Sequence, residues 1–386
     1  MDRSFFDAVH DRHTPGDIKY GPVEGVESVI PLWVADMDFK VPPAVEEALA
    51  AAARRGIFGY TEPDGEYDAL VTGWYRQRMD WDIRPEWLLK APTVLSVIAV
   101  AIRALTEPGD AVLIYQPVYH PFAGIIKANH RRLAVSELRL EDGRYEMDLE
   151  EMEELIRREG VKALLFCSPH NPVGRVWTRA ELEAVGRLCC ENDVWIISDE
   201  IHSDFVYPGH RHIPIASLSE ELARRTVTCT APTKTFNLAG LQAANAVIPD
   251  PALRRRVAEE CRAAGHGGLN CMAIAATKAA YRDGAPWLDA LLRYLQDNRR
   301  LLEALCRESG GKLRLIEPEG TYLMWMDARE MARSGRSPAD LFLKETGVRL
   351  HDGAIFGAGG AGFLRMNIAC PAATLTEALA RMKKVL

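Results

Sequence analysis

The chain has 386 residues, of which 48% are hydrophobic and 26% charged, a composition typical of a folded globular protein. Its net charge of −7 and its lack of a long basic block argue against nucleic acid or an anionic membrane surface as a partner. No apolar run approaches the ~20 residues of a membrane-spanning helix, so we expect a cytoplasmic protein.

The eight cysteines form no CxxC pair, and most of them lie in apolar runs such as "ALLFC". We therefore expect buried, reduced thiols, as in a cytosolic protein. The N-terminal stretch "MDRSFFDAVHDRH" lacks the apolar core of a signal peptide. The sequence predicts no metal site.

The first clear helix in chain order is "VPPAVEEALAAAARR", which begins with prolines and ends at Gly56. Short apolar runs follow at 111–115, 163–167, 194–198 and 226–230, each bounded by turn or polar residues. Helical stretches such as "TRAELEAVGRLCCEN" lie between them. Apolar strands that alternate with helices predict a mostly parallel sheet, covered by helices on both faces.

A change of pattern near Gly284 predicts a second domain. A long helix begins after "GAPWLD", and beyond it strands and two helices flank a glycine-rich loop. We expect a large domain of residues 41–283 and a smaller α+β domain formed by residues 1–40 and 284–386. The predicted fold class is therefore α/β, with a smaller α+β domain added.

The glycine-rich loop "FGAGGAGF" places Gly357, Gly359 and Gly362 in the GxGxxG spacing of dinucleotide-binding proteins. That fingerprint needs a strand before it and a helix after it. Here the strand-like run "FLRMNI" follows, so we interpret the segment as a plain loop.

Polar side chains follow four of the predicted strands. Tyr119, Asn171, Asp199 and Lys234 each come shortly after an apolar run. In open parallel sheets, ligands bind at the carboxyl ends of the strands, so these four groups can converge on one cleft. Taken singly, each could be a helix cap, a turn residue or packing.

With these residues in place, the sequence resembles the fold-type-I pyridoxal 5'-phosphate (PLP) enzymes. Within them it is similar to the MalY/PatB group of cysteine-S-conjugate (cystathionine) β-lyases. The resemblance covers nearly the whole chain, from residue 31 to residue 371. It is carried by "PLWVADMDF", "GIFGYTEP", "CSPHNPVGRVW", "ISDEIHSDF", "TAPTKTFNLAGLQ", "GAPWLDAL", "GTYLMWMDAR" and "FLRMNIACP".

The resemblance implies a catalytic set of Lys234, Asp199 and Tyr119. Lys234 would hold PLP as a Schiff base, and its uncharged neighbours would favour the neutral, nucleophilic amine. Asp199 would keep the pyridine nitrogen protonated, and Tyr119 would stack on the ring. Asn171 and His202 match positions near the phenolic oxygen of the ring, although His202 could also be a helix-face histidine without a cofactor contact.

The phosphate of PLP needs amide donors, and "APTVLSVIAVAIRAL" offers a helix start. The resemblance assigns it the backbone N–H groups of Val94 and Leu95 and the hydroxyl of Thr233, with Thr230 as a further candidate. Tyr60 matches a tyrosine that reaches the phosphate and substrate of a neighbouring subunit, which implies a homodimer with shared active sites. Local packing against Phe58 is the other interpretation of Tyr60.

Two positions depart from the aminotransferase pattern. Ala231 stands where serine or glycine is usual, and Gln242 stands where arginine is usual. The β-lyase group shares this departure, so it weakens an aminotransferase reading and leaves the phosphate contacts open.

Arg365 matches the arginine that binds the α-carboxylate of the substrate, and the backbone around Ala35 would face the same carboxylate. The expected reaction is β-elimination from L-cystathionine or another cysteine S-conjugate, which releases a thiol, pyruvate and ammonia. Two alternatives stay open. One is an aminotransferase, and the other is a PLP-bound protein that binds a transcriptional regulator.

Overall fold

The computed structural model of the protein describes residues 1–332 and 335–386. The strands of this described part are β1 (Ile30–Pro31), β2 (Leu88–Ala91), β3 (Ala111–Gln116), β4 (Arg132–Glu137), β5 (Arg139–Glu141), β6 (Arg144–Glu146), β7 (Val161–Cys167), β8 (Trp195–Asp199), β9 (Thr226–Thr230), β10 (Ala244–Val247), β11 (Arg314–Leu315), β12 (Leu323–Asp327), β13 (Val348–Arg349), β14 (His351–Asp352) and β15 (Phe363–Asn367). The α-helices are α1 (Ser4–Asp7), α2 (Pro43–Arg55), α3 (Gly65–Met79), α4 (Val94–Leu105), α5 (Pro121–Ala128), α6 (Leu149–Glu159), α7 (Arg179–Glu191), α8 (Glu220–Arg225), α9 (Pro232–Thr235), α10 (Pro251–Ala263), α11 (Cys271–Asp283), α12 (Ala285–Glu308), α13 (Arg329–Ala332), α14 (Pro338–Thr346) and α15 (Ala372–Met382).

The central sheet has seven strands in the order β2-β10-β9-β8-β7-β3-β4. The strands from β9 to β4 pair in parallel, whereas β10 runs antiparallel to both of its neighbours. All four apolar runs at 111–115, 163–167, 194–198 and 226–230 form strands of its parallel part, which confirms the predicted mostly parallel sheet. Every residue of β9 is buried, as expected for a strand covered on both faces.

Local sequence signals set the ends of the helices around this sheet. Helix α2 begins at Pro43 and ends at Gly56, whose φ of 69° suits a residue without a side chain. Helix α4 begins with a capping box in which the hydroxyl of Thr93 accepts a hydrogen bond from the N–H of Ser96. This cap fixes the start of α4 at the edge of the sheet where the parallel strands end.

A second sheet, of order β11-β12-β15-β14, is built from the C-terminal third of the chain. Strand β1 pairs in parallel with β13, so the N-terminal segment packs with this C-terminal region. On this basis we propose the division expected from the sequence, with residues 41–283 as the large domain and residues 1–40 with 284–386 as the small one.

The glycine-rich loop forms short 3-10 turns at Gly353–Phe356 and Ala358–Gly360, and strand β15 follows it. The prediction that this segment is no dinucleotide fingerprint is confirmed, because no helix follows the glycines. All eight cysteines are free thiols, and six of them are buried. Within the described ranges, no helix is both long and apolar enough to cross a bilayer.

Candidate active site

A cavity of about 550 Å³ lies beside the carboxyl ends of the parallel strands of the central sheet. The structure brings most of the sequence-predicted site residues together there. Those that line it are Ala35, Val94, Leu95, Tyr119, Asn171, Asp199, His202, Thr233, Lys234 and Arg365. The convergence expected from the strand ends is therefore present in the fold.

Lys234 lies in the short helix α9, directly after β9. Its Nζ donates a hydrogen bond to the carbonyl oxygen of Ala35 at 2.5 Å, and the hydroxyl of Tyr322 donates to the same oxygen at 3.0 Å. Burial lowers the pKa of Lys234 to about 8, because the charged amine loses hydration. The amine is therefore closer to its nucleophilic form at neutral pH than an exposed lysine is.

Asp199 ends strand β8, and its side chain is buried beside the same cavity. Its Oδ1 accepts a hydrogen bond from the backbone N–H of Ile201 at 3.1 Å. Burial raises the pKa of Asp199 to about 7. A buried carboxylate of this kind is stabilised when a cation binds against it, and a protonated pyridine ring would supply one.

Arg365 lies on β15 and is 2% exposed. Its guanidinium donates to Asn171 Oδ1 at 3.0 Å, to the carbonyl oxygen of Trp33 at 3.0 Å and to His351 Nδ1 at 2.6 Å. Burial lowers the pKa of Arg365 to about 10, and the groups that oppose this shift are Tyr119 and Tyr322 rather than a carboxylate. A buried guanidinium with neutral partners is suited to bind an anionic ligand.

His202 and Tyr119 form part of the wall. His202 is 3% exposed, its Nδ1 has no hydrogen-bond partner, and burial lowers its pKa to about 3, so the ring is neutral. Burial also raises the pKa of Tyr119, whose ring packs against His120 and Phe122. Both residues can therefore offer a cofactor ring a neutral aromatic surface and a hydrogen-bonding group.

The N-terminus of α4 supplies main-chain donors at another side of the cavity. The N–H groups of Val94 and Leu95 lie in the first turn, where no acceptor exists within the helix. Thr233 also lines the cavity, whereas the hydroxyl of Thr230 is occupied by a hydrogen bond from Tyr75. Thr230 is absent from the cavity lining, so its hydroxyl is a poor phosphate candidate.

Of the two departures from the aminotransferase pattern, Gln242 lines this cavity, whereas Ala231 does not. Ala231 is buried at the start of α9, and its side chain does not cap the helix. Gln242, whose φ is 56°, is one of the residues that line the cavity. An uncharged amide therefore faces the cavity at the position where aminotransferases usually have a cation.

Tyr60 lies apart from the cavity of its own chain. Its side chain is fully exposed, and Ile57 and Phe58 beside it are 73% and 61% exposed. Packing against the body of the same subunit does not account for three exposed apolar side chains in one short segment.

Sequence reasoning missed several residues of this site, including Trp33, His120, His351 and Tyr322. His351 is brought to Arg365 by the pairing of β14 with β15, in which these two residues are directly opposite. The sequence carries no motif for that register. The ring of His351 also packs edge-on against Trp33.

The residues present fit PLP. A desolvated amine, a buried carboxylate, helix-start amides without an acceptor in the helix and a neutral aromatic wall surround one cavity. No cluster that could hold a metal ion occurs among the residues that the structure describes.

Comparisons with known proteins agree with this chemistry. The family model "Aminotransferase class I and II" matches residues 27–382. The chain is 42% identical over 368 residues to cystathionine beta-lyase PatB of Bacillus subtilis (strain 168), with 95% of each protein covered. It is 31% identical over 382 residues to protein MalY of Escherichia coli (strain K12), with 97% of each covered.

Two similar solved structures also contain PLP. Cystalysin from Treponema denticola, which contains PLP, is 35% identical and superposes with a TM-score of 0.94 over 98% of each chain. The PLP-bound C-S lyase from Staphylococcus hominis is 32% identical, with a TM-score of 0.92 over 99% of this chain and 97% of that one.

Proposed function

This chain belongs to the class I and II aminotransferase family, and we propose that within it the protein is a PLP-dependent C–S β-lyase. Its substrate would be L-cystathionine or another cysteine S-conjugate, and its products pyruvate, ammonia and a thiol. One observation carries the proposal: the Lys234 amine, the buried carboxylate of Asp199 and the Arg365 guanidinium, which donates to uncharged partners, line the same cavity.

Arg365 and Lys234 have separate roles in the proposed β-elimination. Arg365 binds the α-carboxylate of the amino acid, and the charge-assisted pair fixes the orientation of Cα. Lys234 accepts the Cα proton as general base and returns a proton to the departing sulfur. Bound PLP supplies the electron sink for the electrons left at Cα.

The remaining residues hold the cofactor. Asp199 would keep the pyridine nitrogen of PLP protonated, Tyr119 would pack on the ring, and Asn171 and His202 would bind its phenolic oxygen. The amides of Val94 and Leu95 and the hydroxyl of Thr233 would bind the phosphate, whereas the hydroxyl of Thr230 already accepts a hydrogen bond from Tyr75. Ala35 faces the substrate with its backbone.

The choice of lyase over aminotransferase rests on the relatives and on Gln242. Two relatives, at 42% and 35% identity, are named cystathionine beta-lyases. Gln242 places an uncharged amide in the cavity where the aminotransferase pattern has arginine. A thiolate on Cβ leaves readily once the Cα electrons are delocalised, so elimination needs no keto-acid acceptor.

We further propose a cytoplasmic homodimer. The free thiols of all eight cysteines favour a reducing compartment. The exposed Ile57, Phe58 and Tyr60 would be covered by the second subunit, and Tyr60 would reach the phosphate and substrate of that subunit's site.

The proposed reaction is tested by measuring pyruvate from L-cystathionine with and without 2-oxoglutarate. We expect equal amounts of pyruvate, ammonia and homocysteine in both conditions, and no elimination product from L-alanine, which has no leaving group on Cβ. Turnover that requires 2-oxoglutarate and forms matching glutamate would identify an aminotransferase. Absence of turnover on a panel of S-conjugates, together with co-purification of a regulator, would favour the regulator-binding alternative.

A further inference from the structure

The backbone of residues 33–38, here called the 33–38 segment, connects the two cations of the active site. The carbonyl oxygen of Trp33 accepts from Arg365 at 3.0 Å, and that of Ala35 accepts from Lys234 at 2.5 Å. Asn367 Nδ2 donates to the next carbonyls along the segment, those of Val34 at 2.7 Å and Asp36 at 2.6 Å. The positions of both cations therefore depend on where this segment lies.

Two N-terminal cations hold the segment from its other side. Arg12 donates to Asp36 at 2.7 Å and to Asp38 at 2.8 Å. Lys19, whose side chain is completely buried, bonds Asp38 at 2.8 Å and the carbonyl oxygen of Asp36 at 3.1 Å. The cationic side chains of Arg12 and Lys19 therefore hold the carboxylates of Asp36 and Asp38 in place.

Asp36 is not fully neutralised by this cluster. Its Oδ1 is buried without a hydrogen bond and lies 3.7 Å from Lys19 Nζ. Asp36 also lines, together with Lys234, a second cavity of about 870 Å³ that adjoins the active site. Asp36 directly follows Ala35, whose carbonyl oxygen accepts the hydrogen bond from the Lys234 amine.

From this geometry we propose that Asp36 is a positioning residue that stabilises the cationic form of the Lys234 nitrogen, and that Arg12 and Lys19 set the strength of its effect. The inference rests on the proposed attachment of PLP to Lys234, and not on which reaction follows that attachment.

The other groups around the amine do not replace Asp36. The titratable and charged groups that face Lys234 are Asp36 on the 33–38 segment, Asp199 at the end of β8, His202 after it, Arg365 on β15 and Tyr322 before β12. After burial, which lowers the pKa of Lys234, the largest contribution is that of Asp36, which raises it, followed by that of Arg365, which lowers it. Asp36 therefore favours the cationic form of the lysine in addition to Asp199, which is the expected partner of the cofactor.

The test is a pH titration of the visible absorption of the intact PLP-bound protein, which reports protonation of the nitrogen that joins Lys234 to the cofactor. Asp36→Asn removes a negative charge and should move the transition to lower pH. Lys19→Met removes the neighbouring positive charge, leaves Asp36 less neutralised, and should move the transition to higher pH. Each shift should be about half to one pH unit.

The two variants should shift the absorption transition in opposite directions, which distinguishes an electrostatic effect on the Lys234 nitrogen from damage to the fold. A purely structural role would lower thermal stability in both variants without shifting the transition in two directions. Arg12→Gln, at a partly exposed position, provides a second route to the upward shift if Lys19→Met does not fold. Lys90→Met is the matched control, because Lys90 is a part-buried lysine that pairs with Asp68, and it should leave the transition unchanged.

Shifts in the same direction, or transitions equal to that of the unmodified protein in folded variants, overturn the inference. Borohydride reduction followed by peptide mapping distinguishes this failure from a failure of the proposed attachment. Cofactor found on another lysine overturns both, whereas cofactor on Lys234 with an unmoved transition overturns only the role of Asp36.

Discussion

Arg365 donates a hydrogen bond of 2.6 Å to Nδ1 of His351, directly across the pair of strands β14 and β15. The accepting nitrogen must be unprotonated for this bond. Burial, helped by the charge of Arg365, lowers the pKa of His351 to about 3 and keeps the ring neutral. The orientation of the expected carboxylate-binding group therefore depends on a neutral histidine that lines the same cavity.

We expect His351→Ala to raise KM for an S-conjugate substrate by about three- to tenfold while kcat changes less, because one hydrogen bond to a charged group is lost. His351→Asn retains an acceptor and should recover part of the loss. Steady-state kinetics of the two variants give the comparison. Equal KM values in both variants and in the unmodified protein would contradict a positioning role.

Arg365→Ala should lower kcat/KM by about tenfold to hundredfold, since a charge-assisted pair is worth ~1.5–3 kcal/mol. Arg365→Lys keeps the charge but loses the planar fork, so an intermediate loss is expected. Pyruvate release from L-cystathionine measures both. An alanine variant with unchanged kcat/KM would remove Arg365 from the substrate site.

Lys234→Ala should abolish the borohydride-reducible attachment of PLP, because the residue carries the amine that forms the link. Mass spectrometry of the reduced and digested protein identifies the labelled peptide. Lys278→Ala, at a lysine that pairs with Asp64 and Glu66, is a suitable control and should leave the label in place. Label on any peptide that lacks residue 234 would show the assignment to be wrong.

The exposed Tyr60 leads to a prediction about mixed dimers. Tyr60→Phe and Lys234→Ala protomers should both be severely impaired alone, and their mixture should regain activity, since one of the two sites in a mixed dimer then has both residues. Activity is measured after subunit exchange has been verified. No recovery in verified mixed dimers would argue against a site shared between subunits.

His170 gives a prediction about acid stability. It is buried, and burial lowers its pKa to about 4 from an ordinary value of 6.5. The unfolded chain thus binds more protons between pH 6.5 and 4, so this group contributes stability above pH 6.5 that is lost as the pH falls toward 4. The contribution is about 3 kcal/mol at most.

The measurement is urea unfolding of the unmodified protein and of His170→Gln across this pH range. The difference in free energy of unfolding between the two should shrink as the pH falls. A difference that stays constant with pH would show that His170 is already protonated in the folded state or exposed to solvent.

The strands and their polar ends could be predicted because the signal is local. The run 226–230 ("TVTCT") is rich in β-branched residues and forms β9 with the same bounds, and Lys234 follows it at the expected edge of the sheet. Asn171, Asp199 and Tyr119 were found by the same rule. The long helix was predicted to begin after "GAPWLD", but α12 begins within that stretch, at Ala285, and extends over 24 residues.

Contacts that depend on register or on distant charges could not be predicted. His351 reaches Arg365 only through the pairing of β14 with β15, and no short pattern around residue 351 encodes that pairing. Arg12 and Lys19 occur in a segment of mixed charge and resemble surface residues, yet the fold buries Lys19 against Asp36 and Asp38. Tyr60 could be recognised only by resemblance to the family. Its proposed contacts are with a second chain, and no local pattern in this sequence indicates them.

The residues that line the active-site cavity extend along the sequence from Ile18 to Arg365. No short fragment of the chain therefore contains the site, and ligand binding there is thermodynamically linked to folding of nearly the whole polypeptide. A ligand that binds only the folded state at a free concentration 100 times its dissociation constant adds about 2.7 kcal/mol to the free energy of unfolding. We therefore expect the concentration of free cofactor to affect the resistance of the protein to unfolding and proteolysis. This effect is independent of the reaction that the protein catalyses.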